Sequence, residues 1–246
     1  MGQKLPFKRN YRCSISNTYI GNYILHPDYA VNPEHYIRAY LLIQKDLLNL
    51  FDFIEPSDTN QMTYSFRIHE LLIRTCVEIE ANFKAILREN EYKTKYQDWS
   101  IKDYKKLNAS HRLSSYIVKL PYWKGEDLLR IPFESFGSGK TPAWYDAYND
   151  VKHDRSVKFE TASFQNLIDA ICGLVVLLSS QFHTEDFVIS EGLRSYGGPG
   201  DGYDSAIGEY FRIKFPTDWP DEEKYDFDWS QITEQDKKFN KLFEKL

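Results

Sequence analysis

A chain of 246 residues is long enough to bury one large core. Its 42% hydrophobic and 16% aromatic content excludes a disordered chain, and a net charge of −5 excludes a uniformly basic nucleic-acid surface. Charge is nevertheless polarised: residues 92–119 hold seven Lys/Arg against two Asp, and residues 218–236 hold eight Asp/Glu against one Lys. The simplest reading of both is a solvated surface segment. Three Cys make an odd count, and Cys76 and Cys172 fall in apolar helical patterns where a thiol acts as a small hydrophobe, so a reducing, cytoplasmic setting is expected.

Residues 1–32 show no clean period and read as an irregular arm with a short strand near Tyr19–Leu25. The stretch MGQKLPFKRNYRC has no apolar signal-peptide core, and Pro6 stands where a myristoylation signal wants Ser or Thr. From Pro33, the series Tyr36, Tyr40, Ile43, Leu47, Leu50, Ile54 predicts a first helix that ends before Pro56. A second helix is predicted from about Met62 to Asn90, with Leu72, Cys76, Ile79, Phe83, Ile86 and Leu87 on one stripe and Arg74 opposite. Glu80 sits at the edge of that stripe. Its bland reading is an i,i+4 pair with Lys84.

Residues 101–119 are predicted as a third helix ended by Pro121, and 121–141 as a long connection. Thr141 and Pro142 supply an N-cap and a first-turn Pro for a fourth helix. The last long helix, Thr161–Phe182, is apolar around most of its circumference, as a central bundle helix should be. Its run Ala170–Leu178 is far shorter than the roughly 20 residues of a membrane span, so no membrane partner is expected. Beyond it, Phe187–Ser190 and Tyr210–Phe215 read as strands of a small hairpin, the glycine-rich stretch 197–202 as a connection, and Thr233–Leu246 as a short helix. The predicted organisation is an N-terminal arm (1–32), a helical bundle (33–183) and a C-terminal extension (184–246).

Most chemical motifs fail. The stretch Gly137-Ser-Gly-Lys-Thr141 lacks the earlier Gly of a phosphate loop, since position 134 is Glu. The six His are scattered without metal-ligand spacing, no GxSxG occurs, and no cofactor is implied. What remains is the fourth helix, WYDAYNDVKHDR, residues 144–155. Helical geometry sorts it into Trp144, Ala147, Tyr148, Val151 and Arg155 facing the bundle, Asp146, Asp150 and Asp154 in solvent, and a polar stripe of Tyr145, Asn149, Lys152 and His153. Asn149 and His153 lie one turn apart with Lys152 beside them, a set suited to holding a phosphate or ribose and moving a proton. The alternative is that Lys152 and His153 merely complement the helix C-terminal dipole.

The order of helices, together with Tyr148-Asn149-Asp150-Val151-Lys152-His153-Asp154-Arg155 followed by a long apolar helix, resembles the HEPN superfamily over residues 33–183. The resemblance implies a mainly α, up-and-down bundle of four to five helices, often a homodimer. Many such proteins are metal-independent ribonucleases of prokaryotic defence systems whose motif is Arg, four to six residues, then His. On that pattern His153 matches the family His and Asn149 the polar residue that often follows the Arg. The three positions allowed for the Arg hold Asp146, Ala147 and Tyr148. The leading expectation is therefore a HEPN-like protein that binds RNA, a nucleotide or a protein partner. One alternative is an active ribonuclease using His153 with Lys152 or Arg155 in place of the Arg, Tyr145 nearby, and Glu80 or Arg74 orienting them. The other is a non-catalytic module in which Lys152 pairs with Glu80.

Overall fold

The computed structural model describes residues 2–16, 21–92, 99–187, 200–232 and 238–244. Helix α1, Pro33–Phe51, starts on Pro at its first turn and buries Ile37, Tyr40, Ile43 and Leu47. Helix α2, Phe66–Glu89, starts where the Ser65 hydroxyl accepts the Ile68 amide at 3.2 Å, and it buries the expected stripe from Leu72 to Leu87. Helix α2 begins later than Met62 because the chain first makes a 3-10 turn at Asp58–Asn60 and a further turn at residues 61–62.

The segment predicted as one helix over 101–119 breaks up into α3, Ile101–Tyr104, α4, Leu107–His111, a 3-10 turn at Leu113–Ser115 and strand β1, Ile117–Lys119. Arg112 adopts a left-handed conformation (φ 51°), which ends α4, and the β-branched Ile117-Val118 pair then enters a sheet. Strand β2, Leu129–Arg130, lies inside the expected connection; β3, Asp204–Ser205, and β4, Arg212–Lys214, follow. The antiparallel order is β2-β1-β4-β3, with the fully buried Val118 and Ile213 paired across β1 and β4. The predicted hairpin is thus a four-stranded sheet.

Helix α5, Ala143–His153, is followed by α6, Arg155–Lys158, a 3-10 turn at Phe159–Thr161 and α7, Phe164–Phe182. Pro142, not Thr141, stands at the start of α5, with no side-chain cap. The Ser163 hydroxyl caps α7 by accepting the Asn166 amide. Helix α7 packs against α1, α2 and α5. It is long and apolar enough to cross a membrane, yet 83% of its apolar window is buried inside the fold, so it is the central core helix. A fully buried Leu or Phe there contributes about 1.5–3 kcal/mol. Gly173 lets α5 approach closely, since a Cβ there would come within 3.3 Å of the Trp144 ring.

The terminal segments differ from the expectations for them. Gly21–Leu25 is a 3-10 helix and not a strand, while Tyr19 and Ile20 lie outside the described residues. Phe187 is in no strand, and 188–190 lie outside the described residues, as do 197–199. In place of a helix over 233–246 there is one turn of α8, Trp229–Ile232, and a 3-10 turn at Leu242–Glu244, with 233–237 and 245–246 outside the described residues. One hydrophobic core runs from Phe7 through the bundle to Tyr225 and Leu242.

The N-terminal arm is fastened by charge as well. The Arg9 side chain is fully buried, donating to Glu89 at 2.7 Å, Gln181 at 3.0 Å and the Val31 carbonyl at 2.8 Å. Part of the acidic segment also has partners: Glu223 accepts from Arg112 at 3.2 Å, and Asp218 from Ser115 at 2.9 Å. The fold is mainly α, a helical core flanked by a small antiparallel sheet.

Candidate functional site

Of the polar side chains singled out by sequence on α5, Tyr145 is buried against α2, whereas Asn149 is half-buried and Lys152 and His153 are exposed. Trp144, Ala147, Tyr148 and Val151 are buried as expected, with the Trp144 indole donating to the Pro132 carbonyl at 2.9 Å. These anchors fix the rotation of α5. Tyr145 then points toward α2, where its hydroxyl donates to Glu80 at 2.9 Å. Burial, with the Glu80 charge beside it, pushes the Tyr145 phenol far up. Lys84 reaches the other Glu80 oxygen at 3.5 Å, the i,i+4 pair. Glu80 therefore ties α2 to α5 through Tyr145, and no Lys152–Glu80 ion pair forms.

Lys152 instead lays its ammonium 5.0 Å from the centre of the Tyr148 ring. The Tyr148 phenol raises the lysine above its usual value, with the Glu80 charge adding to it. Lys152 and His153 are exposed in the last turn of α5 and Asn149 is half-buried. Among the described residues, no hydrogen bond joins Asn149, Lys152 and His153, and neither Lys152 nor His153 has a carboxylate within salt-bridge distance. Both suit the negative end of the helix dipole. Asp154 leaves helical geometry (φ −141°), which ends α5 directly after His153.

That break overturns the buried position expected for Arg155. The helical register stops before it, and Arg155 is exposed at the start of α6, its guanidinium 5.9 Å from the centre of the Phe66 ring. Arg74 lies elsewhere, paired with Asp46 of α1. It lines a groove of about 520 Å³ with Asp46, Asn49, Phe53, Arg67 and Glu70, and so does not orient the α5 residues.

Beside Arg155 the structure gathers residues that sequence reasoning missed. The Phe159 ring packs on Phe66 at 4.7 Å, His69 at 5.7 Å and Tyr64 at 5.8 Å between ring centres. Burial first, and the Arg155 charge second, push the His69 imidazole down, and its Nε2 is buried with no hydrogen-bond partner. The missed signal was Ser65. Read as the N-cap, it places Tyr64 and Phe66 astride the start of α2, where side chains leave the bundle.

No family model, curated protein or solved structure matches the chain. The fold defines the class, a mainly α helical protein with a small antiparallel sheet, and α5 carries its polar flank.

Proposed function

We propose that this is a HEPN-like protein of the cytoplasm that binds RNA or a nucleotide along the outer flank of α5 and works as a homodimer, in a prokaryotic defence or stress setting. What supports the reading is the exposure, on one helical turn, of Lys152 and His153 without carboxylate partners, next to half-buried Asn149. A cation and an imidazole without carboxylate partners at a helix end can meet a phosphate with little desolvation cost. The resemblance to HEPN proteins supplies the ligand class and the dimer. A protein partner is the competing occupant of the same flank.

The test is fluorescence anisotropy of a labelled single-stranded oligoribonucleotide in EDTA over a salt series. Affinity is expected to fall with salt and to weaken in the Lys152→Ala/His153→Ala double variant. Absence of binding at low salt, or binding indifferent to the double variant, removes the reading. Sedimentation velocity on the same protein tests the dimer.

A catalytic form of this reading is favoured by the accessibility of His153, which leaves its imidazole free to move a proton from a ribose 2′-OH. It requires cleavage of the strand in EDTA that His153→Ala abolishes.

A further inference from the structure

Exposed aromatic rings need a reason when they cluster. Tyr64 and Phe66 are 51% and 62% exposed, and they flank the partly buried Phe159 of the 3-10 turn after α6. Ser65 fixes the backbone between them by capping α2, and the Tyr64 backbone bridges to Ser163, so the two rings stand on rigid elements. Arg155 lies over Phe66, one residue beyond the Asp154 break that also presents Lys152 and His153.

The charge around the rings is unequal in what it is free to do. Asp154 accepts from the Ser156 hydroxyl at 2.8 Å, and Glu70 pairs with Arg67 at 3.2 Å. Asp146 and Asp150 are exposed on α5 and lie beside His153, more than about 100° around the helix from Lys152. Glu160, exposed in the turn after α6, is the remaining acid of the segment. Lys152, Arg155 and Lys158 are exposed and, among the described residues, have no carboxylate within salt-bridge distance. Exposed rings with Arg155 over one of them, and nearby in the chain two lysines without carboxylate partners, complement a ligand that is anionic along its backbone and flat at its bases. A duplex hides those flat faces; a single strand offers them.

We infer that Phe66 and Tyr64, with Arg155, form a stacking platform for an unpaired base of single-stranded RNA, whose adjoining phosphates lie along Lys152 and Lys158. This rests on the RNA-binding reading above and narrows it to strands with unstacked bases. Phe66 is the central residue, because one side of its ring packs on Phe159 while most of its surface faces water.

The experiment measures binding of a short labelled single-stranded RNA, the same RNA as a duplex, and an abasic strand of equal length. Wild-type protein should prefer the base-bearing single strand to both others by about 10-fold or more. Phe66→Ala should lose that preference while still binding the abasic strand as wild type does, and Phe66→Tyr should keep it. Equal wild-type binding of base-bearing and abasic strands overturns the platform and leaves the RNA reading standing. So does a folded Phe66→Ala protein with an undiminished preference. Failure of wild-type protein to bind any strand removes both. A wild-type dimer that Phe66→Ala turns into monomer assigns the rings to a second copy of this chain and overturns the platform.

Discussion

Tyr145 donates its hydroxyl to Glu80 at 2.9 Å, joining α5 to α2 by one bond to a largely buried carboxylate. Lys152, two turns further along, makes no such bond. The two residues share a stripe in the sequence but differ in role, and stability separates them. Tyr145→Phe should lower the unfolding free energy by about 1.5–3 kcal/mol, as expected for a lost bond to a charged group. Lys152→Ala should cost about 0.5 kcal/mol or less, as for an exposed side chain. Urea denaturation of both variants checks this; a Lys152→Ala loss near 3–5 kcal/mol would restore the buried ion pair.

Arg9 makes the N-terminal segment part of the core. Its guanidinium is fully buried among Glu89, Gln181 and the Val31 carbonyl, with the Tyr36 ring 4.6 Å from its centre. Arg9→Met removes the charge and leaves Glu89 half-paired, held only by the Val31 amide and its hydration. A loss of about 3–5 kcal/mol is expected. Thermal melting reads it directly, and a melting temperature unchanged from wild type would show that this segment is not needed for stability.

How far the fold can be read from sequence follows from what each residue's signal depends on. The stripes from Leu72 to Leu87 and from Phe164 to Leu178 repeat within one helix, so local spacing alone places them. Ile117 and Val118 have helical neighbours in sequence, but their structure is decided by pairing with Lys214 and Ile213, almost a hundred positions away. Arg155 failed for a local reason: the helical wheel assumes continuity, and Asp154 breaks it. Asn149, Lys152 and His153 were placed on α5 correctly. Phe66, Tyr64 and His69 are not legible in local spacing because their proximity to Arg155 and Phe159 is tertiary.

Buried histidines set the acid limb of stability. His111 is fully buried, bonded to Ser110 at 2.8 Å and to the Arg9 carbonyl at 2.8 Å, and burial depresses it to about 4. Burial likewise depresses His183 to about 4, while burial raises Asp169 to about 6. The depressed histidines leave the unfolded chain binding more protons than the native chain between about pH 6.5 and 4, so stability falls as pH falls through that window. Asp169 acts oppositely below about pH 6, because its native form takes the proton first. These three groups together leave about one proton, or roughly 1.4 kcal/mol lost per pH unit between pH 6 and 4. His111→Gln should flatten that slope in urea titrations at stepped pH. An unchanged slope would mean that His111 titrates normally in the native state.

The last prediction concerns the arginine that the HEPN pattern calls for. Of the three positions that precede His153 at the family spacing, Ala147 and Tyr148 are buried and Asp146 is exposed. An arginine at either buried position must be desolvated without a partner, so Ala147→Arg and Tyr148→Arg should unfold the protein. Asp146 precedes His153 by seven residues, two turns, and therefore shares its face of α5. Asp146→Arg places a guanidinium on that face, at no cost to the core, and removes a carboxylate that repels phosphate. Asp146→Arg should bind single-stranded RNA more tightly than wild type and cleave it in EDTA, and the added His153→Ala change should abolish cleavage of strand that is still bound at saturating protein. A folded Asp146→Arg protein that binds RNA, forms dimers and cleaves nothing would show that α5 holds its polar flank in a geometry unlike that of the HEPN ribonucleases.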